Sequence, residues 1–147
     1  MPEKETLERA AEDKAEGKSP STQAGEFVRE EIEHIREGRH GARSAKQAIA
    51  IGLSKARRAG VKLPPPEKGK TSKRTREQAK RDVKKGKKAA KKPSAKRSRA
   101  TLNALKREGH SAASKTALSR QAHKAAAKRS AAARSRSAKK AAATRKK

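Results

Sequence analysis

The sequence contains no cysteine, tryptophan or tyrosine, and Phe27 is its single aromatic residue of the Phe, Trp and Tyr class. Without thiols, disulfide bonds, thiolate zinc sites and cysteine nucleophiles are excluded. Without aromatic side chains, the stacking platforms with which many single-strand binding proteins hold bases are almost absent. Long apolar runs are also missing, and the N-terminus is acidic, so neither a membrane span nor a secretory signal is expected.

Large apolar side chains are few and unevenly placed. Only 15 of the 147 residues are Val, Ile, Leu, Phe or Met, and nine of these fall between Phe27 and Leu63. Such a chain offers little apolar surface to offset the conformational entropy of folding. The expected fold class is therefore all-α: a small N-terminal helical hairpin, followed by a Lys/Arg/Ala-rich tail that is largely disordered or intermittently helical.

Charge of one sign dominates the second half of the chain. Residues 1–66 carry a net charge of +2, whereas residues 67–147 carry +26 and include only four acidic residues. A polycation of this density indicates a polyanionic partner, and nucleic acid is the commonest one in a cell. Duplex DNA is favoured and structured RNA is possible. The tail lacks the apolar face of a membrane-lying helix, so no membrane partner is expected.

Two helices are predicted in the apolar part of the chain. The first begins near Ser21 or Thr22 and ends at Gly38, because its apolar residues recur at helical spacing. The second begins at Ser44, which forms a capping-box pattern with Gln47, and ends at Gly60. Small residues form a stripe along the second helix, which predicts close antiparallel packing on the first: Ala45, Ala48, Gly52, Ala56 and Ala59.

The predicted organisation has four parts. Residues 1–20 are a charged leader, either a short helix or disordered, and residues 21–63 are the hairpin, which could also form a homo-oligomer. Residues 64–93 are a Pro/Lys-rich linker with a basic helix, and residues 94–147 are the basic tail. Good helix formers predict intermittent helices at about 75–91, 95–108 and 114–134. Three leucines of the tail could support a weak second hairpin over residues 95–134: Leu102, Leu105 and Leu118.

The segment Glu26–Gly60, with the motif KQAIAIGLSKARRAG, resembles a family of small, basic bacterial proteins. Members of that family join such a helical segment to a Lys/Ala-rich tail, and some carry a loose DNA-binding label. The resemblance covers about a quarter of the chain and implies a bacterial origin but no activity. The end of the tail, SAAARSRSAKKAAATRKK, is similar in composition to linker-histone tails.

The loop Arg39–Lys46 is the sharpest local candidate for binding. It places basic side chains around a helix N-terminus, where free amides and the helix dipole favour a phosphate. An ordinary capped loop between two helices is the alternative. The full set of predicted nucleic-acid-binding residues is Arg39, Arg43, Ser44, Lys46, Arg57, Arg58, Lys84, Lys85, Lys87, Lys88, Lys91, Lys92, Lys96, Arg97, Arg99, Lys128, Arg129, Arg134, Arg136, Lys139 and Lys140.

Catalysis and metal binding have little support in the sequence. No nucleophile elbow or phosphate loop is present, so no catalytic residue, enzyme activity or cofactor is expected. His34 has Glu30 and Glu37 within helical reach, but a fuller set of ligands is missing and no metal is expected. Glu31 falls within the apolar stripe of the first helix, and we expect it to reach solvent or to pair with a nearby base.

The predicted function is binding of nucleic acid without sequence specificity. The favoured form is a nucleoid-associated, histone-like protein of the cytoplasm that binds and compacts duplex DNA through phosphate contacts. Two alternatives stay open. One is a protein associated with structured RNA or the ribosome, and the other is an adaptor whose hairpin binds a protein partner.

Overall fold

A computed structural model of the chain describes residues 1–88 and 92–146. Within these residues the protein is helical, and no β-strand is formed. Seven α-helices follow one another in the described chain, with a short 3₁₀ turn at Ser111–Ala113 between the fifth and the sixth. They are α1 Lys4–Ala15, α2 Pro20–Arg36, α3 Ala45–Arg58, α4 Lys73–Gly86, α5 Ala95–Lys106, α6 Lys115–Ala127 and α7 Ala131–Arg145.

The predicted disordered or intermittently helical tail is wrong. Residues 67–147 are called the basic half, and its described part folds into α4–α7. The all-α class and the pairing of α2 with α3 are confirmed. Alanine, lysine and arginine have high helix propensity, and serine side chains accept capping hydrogen bonds at the starts of α2, α3, α4, α6 and α7. A serine occupies the N-cap of every helix from α2 to α7: Ser19, Ser44, Ser72, Ser94, Ser114 and Ser130.

The helix ends follow the sequence closely, with one displaced start. Helix α2 is capped by Ser19, not by Ser21 or Thr22, and Pro20 takes its first position, where the missing N–H costs nothing. Gly38 and Gly60 follow α2 and α3 with φ angles of 74° and 95°. This left-handed conformation is easy for glycine alone, and it ends both helices where predicted.

Helices α2 and α3 cross at very short range because of Gly52. A Cβ atom at that position would lie 2.6 Å from the Cα of Val28 on α2. Ala45, Ala48 and Ala56 of the predicted stripe are buried with it, whereas Ala59 is exposed. The small residues therefore do place the two helices in contact, over all but the last turn of α3.

Residues of the basic half complete the core of the N-terminal half. Ala112 and Ala113 in the 3₁₀ turn are buried against Ile35, Ala42 and Ala48. The backbone joins the same regions, because the Gly41 N–H donates to the Leu105 carbonyl at 2.9 Å and the Ala42 N–H donates to that of Gly109 at 3.0 Å. A second cluster surrounds Phe27 and contains Ala10, Ala24 and Ala56, with Leu53, Val61 and Leu63 packed on it.

Helices α1 and α4 dock on either side of the α2–α3 pair. Helix α1 packs on α2 with Thr6, Ala10 and Asp13 buried, while Leu7, its one large apolar residue, stays 42% exposed. Helix α4 packs on α3 through Ala79 and Asp82. The predicted boundaries after residues 20 and 63 thus separate helices that contact one another.

The last helices contribute little buried surface. Helices α5, α6 and α7 contain no fully buried residue in the described chain. Leu118 of α6 lines a shallow groove with Val28 and Ile32 of α2, and does not pack into a hairpin with α5. Among the described residues, no helix is both long and apolar enough to span a bilayer.

Candidate nucleic-acid interface

Asp82, one of the four acidic residues after Pro66, fixes the basic helix α4 on α3. Its carboxylate is buried and accepts hydrogen bonds from Ser54 Oγ at 2.7 Å, Arg58 Nε at 2.8 Å and Gln78 Nε2 at 3.1 Å. Two of these donors belong to α3. These hydrogen bonds and the buried Ala79 hold one face of α4 against α3, and the opposite face is exposed to solvent.

Substitution Asp82→Ala is expected to lower the free energy of unfolding by about 2 to 3 kcal/mol, because hydrogen bonds to a charged group contribute about 1.5 to 3 kcal/mol. Urea denaturation measures the loss. Glu77→Ala is the matched control on the same helix, since Glu77 forms an exposed pair with Lys80. A pair of this kind contributes at most about 1 kcal/mol. Equal losses in the two variants would contradict the anchoring role of Asp82.

The outward face of α4 and Lys88 just beyond its end carry exposed positive charge on both sides of Glu77. The buried side of α4 is marked by Ala79 and Asp82, and the basic residues at helical spacing on the opposite side are exposed. We call this set the α4 stripe: Arg74, Arg81, Lys84, Lys85 and Lys88. Lys84, Lys85 and Lys88 were predicted as binding residues. Arg74 and Arg81 were missed, although Arg81 precedes Lys84 and Lys85 by three and four residues, a helical spacing that is visible in the sequence.

The loop between α2 and α3 keeps the geometry of a capped helix start. Ser44 accepts a hydrogen bond from the Gln47 N–H, and Gln47 Oε1 accepts one from the Arg43 N–H at 2.8 Å. Arg39 pairs with two carboxylates, and Arg43 lies 3.6 Å from Glu108. Lys46 is exposed. The charges of this loop are thus partly neutralised within the protein, which favours the alternative of an ordinary loop.

The two arginines at the end of α3 have different surroundings. Arg57 is buried, and its guanidinium donates to the carbonyls of Leu63 at 3.3 Å and Pro64 at 3.2 Å. Burial lowers the pKa of Arg57 from its usual value, and the side chain is engaged in closing the end of the helix. Arg58 is half exposed but pairs with Asp82. Neither is arranged as a free phosphate contact.

The other predicted residues lie on exposed parts of α5, α7 and the adjoining segments, and Lys91 lies outside the described residues. Exposed at these places are Lys87, Lys92, Lys96, Arg97, Arg99, Lys128, Arg129, Arg134, Arg136, Lys139 and Lys140. In the described part of the chain, no Lys or Arg after Lys80 lies within 4.0 Å of a carboxylate. The basic half therefore presents positive charge that the protein itself does not neutralise.

A separate polar cluster is buried between α2 and α3. Lys55 Nζ lies 3.2 Å from Glu30 Oε1 and 2.7 Å from Glu31 Oε2. Burial alone would raise the pKa of Glu30, but hydrogen bonds from the Glu3 N–H and Thr6, together with the charge of Lys55, lower it on balance. Burial alone would lower the pKa of Lys55, and the two carboxylates raise it on balance. Glu31 thus pairs with a base and does not reach solvent.

Two histidines complete this cluster, in a combination that the sequence analysis missed. In the sequence, Glu30 and Glu37 lie within helical reach of His34, whereas the structure brings together Glu31, His34 and His40. One donor atom from each of these three lies within 4.8 Å of the other two. No spacing rule identified the set, because His40 comes from the loop after α2 and is turned back onto the helix by the fold.

Comparison with known proteins finds a similarity to one family, whose function is unknown. Residues 14–68, from the end of α1 to just beyond the proline segment, match a family of unknown function, DUF6496. The match spans about a third of the 147 residues and includes the Glu26–Gly60 segment. No curated protein and no solved structure matches the chain. The chain is therefore similar to DUF6496 over α2 and α3, and its bacterial origin and its function stay predictions.

Proposed function

We propose that this protein binds the phosphate backbone of nucleic acid without reading sequence, with duplex DNA as the favoured partner. The supporting observation is the set of unpaired cations in the basic half. Residues 92–146 contain 17 Lys and Arg against one acidic residue, Glu108, and that residue faces Arg43 of the N-terminal half at 3.6 Å. Cations of this kind gain free energy by displacing the ions condensed on a phosphate polymer.

The side-chain chemistry favours a duplex over single strands. Phe27 is buried in the core beside Ala24 and Ala56, so it offers no surface on which a base can stack. Lysine and arginine on exposed helices reach phosphates, which run along both strands of a duplex at regular spacing. Contacts of this type set position on the duplex but carry no sequence information.

Two basic surfaces on one chain suit compaction. The α4 stripe is fixed to α3 by Asp82, whereas α7 has no buried residue. Helix α7 is 15 residues long, about 22 Å at 1.5 Å per residue. It could follow one duplex segment while the α4 stripe contacts another. A nucleoid-associated role is the biological form of this proposal.

Removing four charges from α7 is expected to weaken duplex binding and to reduce the slope of log affinity against log salt by about 3 to 4, close to one unit per lost phosphate contact. Fluorescence anisotropy with a labelled duplex measures both quantities. Since α7 buries nothing, the substitutions leave the fold intact; they are R134Q, R136Q, K139Q and K140Q.

The matched control removes four exposed charges from the N-terminal half: K4Q, K14Q, R29Q and K62Q. Its slope is expected to stay near that of the unmodified protein. Equal slopes for the two variants would contradict binding through α7. Competition between the duplex and folded RNA of the same length decides which polymer is preferred, and preference for the RNA would replace DNA in the proposal.

A further inference from the structure

The cluster of Glu31, His34 and His40 has the composition of a metal site, and one donor atom from each residue lies within 4.8 Å of the other two. Glu31 and His34 lie three residues apart on one face of α2, and His40 folds back from the following loop. Nitrogen and oxygen donors in a set of two histidines and one carboxylate suit zinc and its neighbours among the divalent transition metals. Glu31 Oε1 lies 3.1 Å from His40 Nε2, a separation that two ligands at about 2.0 to 2.1 Å from one zinc ion would have.

The hydrogen bonding of His40 leaves its Nε2 atom ready to bind a metal. His40 Nδ1 lies 3.1 Å from the Gly41 carbonyl, which can only accept, so Nδ1 carries the proton. When the ring is neutral, the lone pair of His40 Nε2 then faces Glu31 Oε1. Both atoms are hydrogen-bond acceptors, and no proton lies between them. A histidine that donates its other ring N–H to a backbone carbonyl is the usual arrangement of a metal ligand.

The Glu31 carboxylate lacks hydrogen-bond donors. It is 1% exposed, and neither of its oxygens has a hydrogen-bond partner of acceptable geometry among the described residues. Two buried carboxylates, Glu30 and Glu31, share the single ammonium of Lys55, which leaves an excess of negative charge. Lys55 supplies one positive charge beside Glu31 Oε2, but unsatisfied lone pairs on a buried carboxylate are costly. A cation between Glu31 Oε1 and His40 would compensate them.

We propose that Glu31, His34 and His40 bind one divalent transition-metal ion of the zinc type. His34 Nε2 lies 3.0 Å from both Glu3 Oε1 and Arg39 Nη1, and it exchanges these contacts for the metal. The Glu3 carboxylate, which lies 3.0 Å from His34 Nε2, is then available as a further oxygen ligand. The ion ties α2 to the loop that holds Ala42, and through Ala42 to the 3₁₀ turn in the basic half.

Metal binding is tested with full-length protein that has been freed of nucleic acid by nuclease and high salt and of metal by EDTA. Competition with a chromophoric chelator measures Zn²⁺ binding, and Co²⁺ absorption reports the ligand geometry. We expect about one Zn²⁺ ion per chain and a rise in the thermal unfolding midpoint on Zn²⁺ addition. Glu31→Gln, His34→Ala and His40→Ala are each expected to weaken Zn²⁺ binding by at least about tenfold.

His123→Ala is the matched control, because His123 is exposed on α6, and its Zn²⁺ affinity should equal that of the unmodified protein. The His34 side chain keeps 12% exposure, against 9% for His40 and 1% for Glu31, so His34→Ala is the mildest of the three variants; circular dichroism shows whether it keeps its fold, and it decides the question even if His40→Ala does not fold. The proposal is overturned if the unmodified protein binds Zn²⁺ and Co²⁺ no better than His34→Ala. It is also overturned if His123→Ala weakens binding as much as the cluster variants do.

Discussion

Raising the NaCl concentration from 50 to 200 mM is expected to lower the affinity for duplex DNA by about 10³- to 10⁵-fold. A protein that neutralises about ten phosphates gives a slope of log affinity against log salt near −9. The basic half can supply that number, since residues 92–146 alone hold 17 Lys and Arg against one acidic residue, Glu108, which faces Arg43 of the N-terminal half. Few other interactions in proteins respond so steeply to salt.

Fluorescence anisotropy across a series of NaCl concentrations, at one pH, measures this slope. Two duplexes of unrelated sequence provide the control, and both should give the same slope and similar affinities, because phosphate contacts do not read bases. A slope near zero would refute the electrostatic proposal. A large difference between the two duplexes would show that base edges are read.

Two glycines in the paired helices are expected to respond to alanine with opposite signs. Gly25→Ala on α2 should raise the free energy of unfolding by about 1 kcal/mol, because alanine is the better helix former and its Cβ atom would meet nothing within 4 Å. Gly52→Ala on α3 gains the same propensity. Its Cβ atom, however, would lie 2.6 Å from Val28 Cα and 2.9 Å from Val28 N, and the backbone of α2 cannot move aside alone.

The helices must therefore separate in the Gly52→Ala variant, and overpacking of a core costs about 1 to 3 kcal/mol. We expect the two variants to differ by about 1 to 3 kcal/mol in urea denaturation, because the gain in helix propensity is common to both and only Gly52→Ala bears the cost of overpacking. Gly25 is the internal control for propensity, because both positions lie inside helices. Stabilisation of both variants would mean that α2 and α3 are less closely packed than the structure shows.

The α2–α3 pair was predictable because its signals are large and local. Apolar residues at helical spacing, Ser44 with Gln47, and glycine at the two helix ends each indicate the same element. The stripe of small residues then predicted the packing partner, because small side chains allow a neighbouring helix to approach closely.

The contribution of Ala112 and Ala113 could not be predicted. They occur in a region so rich in alanine that nothing distinguishes a buried alanine from one that favours a helix. Burial at this position depends on a loop more than sixty residues earlier, whose Gly41 and Ala42 N–H groups bind the carbonyls of Leu105 and Gly109. The serines that precede α4–α7, in contrast, are visible in the sequence. Giving these serines more weight than the overall composition would have favoured a folded chain.

The cluster of Glu31, His34 and His40 was missed for a related reason. Glu31 and His34 share a helix face, but His40 joins them through the turn at Gly38, whose φ of 74° reverses the chain. Sequence spacing shows neighbours along one element, not across a turn of this kind. The excess of positive charge, in contrast, could be predicted from composition alone. The ion pairs that Arg39 forms and the pair of Arg58 with Asp82 could not.

The burial of Ala112 and Ala113 has a consequence during synthesis. A ribosome that has just released the end of α3 must add roughly 55 further residues before residue 113 emerges, about 3 to 11 s at 5 to 20 residues per second. Until then the faces of Ile35 and Ala48 that these alanines cover stay open to water. The core of the N-terminal half therefore stays incomplete on the ribosome until residues 112 and 113 of the basic half have emerged.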